Sequence, residues 1–240
     1  MLKFNNTFVK VIALILTLAM VSCQFNGIKG SGNVTTENRN ISGFNSIKVE
    51  NGMDVILEQS TETSVTVIAD DNVQKHIITT VNGSVLKITS DVHSFFNVKS
   101  KKVVIKMPNI ESIQVSSGAS FMAKNTIKSD DISLKASSGA SLDIAIEAEK
   151  ASCESSSGSS ITVHGKAIEL ETASSSGSNI DAEKLLSNNI TASASSGSTI
   201  DVYPLVSLIA DASSSGNINY HNVPKNINKK SSSAGSINKE

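Results

Sequence analysis

Gly118, Gly139, Gly158, Gly177, Gly197, Gly216 and Gly235 follow one another at intervals of 21, 19, 19, 20, 19 and 19 residues. Six of the seven are preceded by Ser-Ser and the last by Ser-Ala. A period of about 20 residues is the mark of a solenoid, in which each repeat is one coil that cannot bury its apolar face alone. The second half of the chain must therefore be built by stacking.

Alignment on the glycine exposes the strands. Three residues later stand Phe121, Leu142, Ile161, Ile180 and Ile200, and five residues later Ala123, Ile144, Val163, Ala182 and Val202. Between them lie Met122, Asp143, Thr162, Asp181 and Asp201. This period-2 alternation describes a strand with one buried face. Before the glycine, Ile113/Val115, Leu134/Ala136, Cys153/Ser155 and Ala192/Ala194 alternate in the same way. Each repeat thus offers two short strands bent at Ser-Ser-Gly, closed by a less regular stretch. The reading is an all-β parallel β-helix of 19–21 residues per coil, with a β-rich N-terminal cap. Seven coils at the ordinary strand spacing would extend roughly 30–35 Å.

Glycine suits a bend that needs positive φ. Stacking places the serines in columns whose hydroxyls can donate and accept along the axis. The inward column Ile113, Leu134, Cys153, Thr172, Ala192 shrinks along the chain, so the rod is expected to taper or its third wall to move inward. Ile218 and Ile237 fall two residues after their glycines rather than three, which reads as slippage at the end of the stack. Pro224 with Lys225, Lys229, Lys230 and Lys239 reads as a polar cap on the last coil.

The first 22 residues read as a secretory signal, with an apolar run, Val11 to Leu18, too short to span a bilayer. Met20-Val21-Ser22-Cys23 resembles a bacterial lipoprotein signal, with Cys23 as the lipid attachment point and Met20 where leucine is usual. The alternative is an ordinary signal peptide cut near Cys23. Lipidation would leave Cys153 alone on the inward column as a small buried hydrophobe. Residues 23–40 read as a flexible tether, 41–110 as the N-terminal β-rich part, and 111–240 as the repeat helix with its cap. Within 41–110, Asn82-Gly83 between two apolar runs is a hairpin signal, Asp70 to Ile78 has room for one or two helical turns, and Val103 to Met107 runs toward the first glycine-marked coil.

Ile41-Ser42-Gly43-Phe44-Asn45-Ser46-Ile47-Lys48-Val49 followed by Gly52-Met53-Asp54-Val55 resembles the opening of the putative auto-transporter adhesin, head GIN domain family. The Ser-Ser-Gly repeats are similar to it as well, over roughly Phe44 to Ser236. The resemblance implies a β-helical fold and an exported or lipid-anchored protein of the cell envelope. It carries no established catalytic residues.

The chemistry-bearing residues are sparse. His76, His93, His164 and His221 have no partner at metal-ligand spacing, and Ser-Ser-Gly is neither a phosphate loop nor a nucleophile elbow. A net charge of −1, with Arg39 the single arginine and no tryptophan, argues against nucleic acid. Asp181 and Asp201 share one outward column, and stacked like charges invite an oxygen-seeking cation such as calcium, or else splay into solvent. No other cofactor is implied. The expected function is that of a non-catalytic protein, lipid-anchored in the bacterial envelope, most simply at the outer membrane, which binds a glycan or a protein on its rigid faces. The alternatives are a polysaccharide lyase or hydrolase, which would need a base or paired carboxylates in a cleft, and an envelope scaffold.

Overall fold

The structure, a computed structural model, describes residues 27–240. The proposed signal segment and Cys23 lie outside the described residues. The chain forms a parallel β-solenoid whose walls belong to one 17-stranded sheet. Strands before each bend pair in register from coil to coil, as in Ile113↔Leu134↔Cys153↔Thr172↔Ala192↔Ala210. Strands after the bend do the same, from Phe121↔Leu142 to Ile200↔Ile218. All of these side chains are buried. The shrinking inward column is offset two residues earlier on the same strand. There Leu170, Ile190 and Leu208 accompany Thr172, Ala192 and Ala210, so volume lost at one position is restored at its neighbour, whereas Ala151 beside Cys153 leaves that coil small at both.

Each bend is a four-residue turn with two consecutive residues at positive φ. Ser117 and Gly118 (φ 55° and 68°) set the pattern, repeated through Ser196 and Gly197 (53° and 70°). The Ala119 N–H closes the turn on the Ser116 carbonyl at 3.2 Å. The bends are also joined along the axis. The N–H of the second residue donates to the carbonyl of the first residue one level on, from Gly52→Ser117 (2.9 Å) and Gly118→Ser138 (3.0 Å) to Gly197→Ser214 and Ser215→Ser233 (both 3.1 Å).

That ladder revises the slippage read from the last two glycines. The positive-φ pair is Ser214-Ser215 and then Ser233-Ala234, so Ser215 and Ala234 occupy the place held by glycine elsewhere. Gly216 and Gly235 sit one position later, where a Cβ would stand 2.4 Å and 2.3 Å from the carbonyl oxygens of Ala194 and Ala212. The strands stay in register, with Ile218 beside Ile200 and Ile237 beside Ile218. The closing bonds of these two turns shorten to 2.8 Å, and only glycine fits the tighter approach.

The expected hydroxyl columns are also placed differently. The exposed serines of the bend stack through backbone bonds, whereas the hydroxyl network is internal. Ser155 and Ser159 approach at 2.9 Å, and Ser174 and Ser178 at 2.8 Å. Ser178 Oγ reaches the Ser155 carbonyl of the preceding coil at 2.8 Å, and Ser198 Oγ reaches that of Ser174 at 2.7 Å. These buried hydroxyls are therefore satisfied within the core.

The N-terminal half is woven into the stack in an order the sequence does not show. Ser46–Val49 and Asp54–Gln59 form a complete level with Asn51-Gly52 as its bend, and this level pairs directly with Ser112–Val115 and Ser120–Ala123. Val85–Ser90 and Lys101–Met107 stack on its other side. Lys101–Met107 thus does not feed directly into the first Ser-Ser-Gly coil, because the level built from residues 46–59 lies between them. The crossing chain is clamped by Gln59, whose amide donates to the Pro108 and Lys128 carbonyls at 2.9 Å and 2.8 Å.

The outer end is closed by antiparallel pairing of Ser64–Asp70 with Lys101–Met107, and of Val34–Arg39 with Ser64–Asp70. Residues 23–40 are therefore not simply a tether, since from Gly27 they supply Gly27–Lys29 and Val34–Arg39 as strands. The expected hairpin at Asn82-Gly83 is present, and the helical turn spans Asp71–Gln74. Asp70 is fully buried at this end and accepts N–H groups of Gly32 (2.8 Å), Ser100 (3.0 Å) and Lys99 (3.1 Å). Burial pushes its pKa up, but the three N–H groups outweigh that and hold the carboxyl below its ordinary value.

At the other end, Lys229 pairs with Ala210 and Lys239 with Tyr220, so both lysines stand on inward columns of the last level. Lys229 Nζ lies 3.4 Å from the Tyr220 hydroxyl and 5.3 Å from its ring centre. An inward charge on a terminal strand prevents another coil from stacking there. Replacing both (Lys229→Leu with Lys239→Leu) is expected to produce concentration-dependent self-association relative to the unsubstituted chain. Light scattering over a concentration series checks this, and an unchanged mass would refute it.

Glycine substitutions separate two kinds of constraint. A Cβ at Gly139 meets open space at φ +71°, whereas one at Gly165 (φ +114°) would stand 2.1 Å from the Ile146 carbonyl oxygen. Gly139→Ala should cost about 1–2 kcal/mol for its left-handed backbone. Gly165→Ala should cost more than that, because the stacked backbones must also part. Denaturant melts of both variants measure the difference.

Candidate functional site

Alternation that fills the core also lays out the exterior. Outward residues of the wall before the bend form columns such as Ser112, Ser133, Ser152, Glu171, Thr191 and Ile209. Beside it runs Asp131, Lys150, Glu169, Asn189 and Ser207. Both columns line an open groove of about 1140 Å³ running across the coils, floored by Ile110, Ile132, Leu170 and Ile190 and entered past Glu111 and Lys128. A second groove of about 730 Å³ follows the same outer wall nearer the bend, beside the bend serines Ser116, Ser137, Ser156, Ser175 and Ser195.

Some of the charges in and around these grooves are paired between adjacent coils, while Glu111, Asp130, Asp131 and Glu171 of the larger groove form no ion pair among the described residues. Lys135 meets Glu154 at 2.9 Å, Lys128 meets Glu147 at 3.3 Å, and Lys150 meets Glu169 at 3.9 Å. Glu50 sits between Lys48 (2.8 Å) and Lys87 (3.0 Å), and chiefly the Lys48 hydrogen bond holds its carboxyl below the ordinary value. Lys124 does the same for Glu58, and Ser31 and Asn33 for Asp71. Glu50, Glu58, Asp70 and Asp71 all shift downward, so none of these four is tuned as a proton donor near neutral pH. Cys153 is fully buried, and desolvation pushes its thiol up to about 12, which keeps it inert.

The aspartates singled out by their column are brought together. Asp181 and Asp201 are direct neighbours in register. Each has a protein donor. Asp201 accepts from Asn219 at 2.9 Å with His221 3.6 Å away, and Asp181 accepts from the Glu183 N–H at 3.2 Å. Asp143 lies two levels away, beyond Thr162. No group of three or more His, Cys, Asp or Glu suited to a metal ion occurs among the described residues. The histidines remain scattered, with His76 Nδ1 facing Asp91 at 2.8 Å and His164 exposed on the strand Ser160–Ser174.

The groove columns were not singled out from the sequence, although the signal was present. Positions 131, 150, 169, 189 and 207 recur with nearly the period of the glycines. Their mixed chemistry hid them, because a column of Asp, Lys, Glu, Asn and Ser has no shared residue type.

The sequence model of the putative auto-transporter adhesin, head GIN domain family matches residues 43–224. Among solved structures, a putative adhesin from Bacteroides fragilis superposes with a TM-score of 0.82 at 22% identity, covering 89% of this chain and all of that one. A protein from Parabacteroides distasonis described as a putative lipid binding protein gives 0.73 at 22% identity, covering 90% and 100%. A putative adhesin from the same species gives 0.74 at 20%, also covering 90% and 100%. At these identities the likeness is one of fold. No curated protein matches the chain.

The aspartate pair yields a direct test. With their donors in place, Asp181→Asn removes one of two stacked like charges and should stabilise the fold by roughly 0.2–1 kcal/mol. Calcium should leave the melting temperature of the unsubstituted chain unchanged. Calorimetry decides the matter, and a calcium-dependent rise abolished by Asp181→Asn would instead mark a cation site.

Proposed function

This chain belongs to the putative auto-transporter adhesin, head GIN domain family, and from that premise we propose that it is a non-catalytic binding protein of the cell envelope, anchored by a lipid on Cys23. Its ligand lies along the larger groove. The observation that carries this reading is the groove itself, which repeats a polar rung at each coil above an apolar floor. Rungs at strand spacing present hydrogen-bonding groups about every 4.8 Å, a ruler suited to an extended glycan or peptide chain. Lys150 and Glu169 are paired across coils and the remaining rungs are spread along the groove, which favours many weak contacts over one reactive centre. A lipid, the ligand named in the Parabacteroides neighbour's description, would lie on the outside of the rod, because stacked side chains fill the interior. Anchorage at Cys23 is supported by Ser22-Cys23 after the apolar run, and the outer membrane is the location that this reading proposes.

The test is an array of glycans and extracellular proteins probed with residues 24–240, with and without calcium. A saturable hit should be lost on Thr191→Arg, which fills the larger groove, and kept on Ser175→Arg in the smaller one. A hit insensitive to Thr191→Arg would overturn the groove assignment, and cleavage of the bound glycan would overturn the non-catalytic reading.

A further inference from the structure

The N-terminal end of the rod carries a ribbon that the stack itself does not use. Gly27–Lys29 pairs in parallel with Ser94–Phe96 as a two-stranded sheet separate from the solenoid walls. Ser94–Phe96 belongs to an enlarged bend. Register matches Val49 to Ile88 and Asp54 to Lys102, so residues 89–101 replace the four-residue turn 50–53 of the neighbouring level. Phe95 packs against the core and fixes the ribbon. Phe96 is 45% exposed, and it is the single aromatic among the exposed large hydrophobic side chains of the described residues.

Lys29 and Lys99 flank this ring and are exposed. Neither forms an ion pair among the described residues, while the nearby carboxylates are engaged inside the cap. Asp70 is filled by three backbone N–H groups, Asp71 binds Ser31 and Asn33, and Asp91 faces His76. The end thus presents an aromatic ring between free positive charges, the composition that suits a bilayer interface.

The length of the preceding chain says which surface covers it. Cys23 is four residues from Gly27, a reach of at most about 14 Å. We propose that the ribbon Gly27–Lys29/Ser94–Phe96 is a membrane-contact surface, with Phe96 in the interfacial layer and Lys29 and Lys99 against anionic headgroups. This rests on the lipid-anchor reading of Cys23. A lipid anchor is strengthened by a second, protein-borne contact, and the ribbon begins within the reach of a lipid on Cys23. The lysine-capped coil then points away from the membrane, and the groove runs along the rod between the two ends.

The chain contains no tryptophan, so Phe96→Trp is its sole indole reporter. Residues 23–240 carrying it can be coupled through Cys23 to a maleimide lipid in vesicles of equal parts phosphatidylethanolamine and phosphatidylglycerol, since Cys153 is fully buried. With acyl-brominated lipid, emission should fall by about half and shift to the blue, while Val223→Trp at the far end keeps its emission. Equal emission of the two variants would overturn the proposal. Lys29→Glu with Lys99→Glu should weaken the quenching, and quenching unchanged by it would overturn the headgroup contact. Chemical coupling makes these outcomes independent of native lipidation. That is read separately, from incorporation of labelled palmitate into the full chain and its loss in Cys23→Ala.

Discussion

Two consecutive residues at positive φ turn the chain at every level from Asn51-Gly52 to Ser233-Ala234, and their backbone groups are bonded to the next level. Left-handed backbone is costly for residues with a Cβ. Here a column of such residues is held because each N–H finds its carbonyl one coil away at 2.9–3.1 Å. The bend therefore cannot shift without breaking the stack. This explains why the turn keeps its place when its glycine does not, as at Ser215 and Ala234. It also explains why a nine-residue enlargement occurs at the outermost of these levels, where the bend has a neighbour on one side only.

In-register stacking has a second consequence, which is that each side chain meets its counterpart from the next repeat. Where the counterparts are alike and apolar, they build the core. Where they are charged, opposite signs often meet, as in Lys135 with Glu154 and Lys150 with Glu169, and the like neighbours Lys48 and Lys87 share Glu50 between them. Such exposed pairs contribute little stability singly, on the order of 0–1 kcal/mol, but they oppose a slipped register that would bring like charges together. Asp181 and Asp201 are also like neighbours, and Asn219 and the Glu183 N–H supply their donors.

A stack also has two ends, and they are finished differently. One is closed by antiparallel strands and by the buried Asp70, which gathers Gly32, Lys99 and Ser100 around one carboxylate. The other ends on strands whose inward positions hold Lys229 and Lys239. The grooves run between these ends with access from solvent along their length, which is the arrangement a binding rod requires.

The solenoid, its period, its inward columns and the burial of Cys153 were legible in the sequence, because each depends on local alternation repeated at a fixed interval. The aspartate neighbours followed from the same arithmetic. Three things did not follow. The level formed by residues 46–59 sits between two others because of strand pairings made across long chain separations, and alternation cannot rank which partner a strand takes. Gly27–Lys29 and Val34–Arg39 looked like tether because their pairing partners, not their own composition, make them strands. The grooves run across stacked strands, and their linings draw on columns of unlike residues. Periodicity determined what faces inward, while tertiary structure alone decided the order of the levels and the shape of the surface, since both depend on contacts between segments whose sequences carry no record of one another.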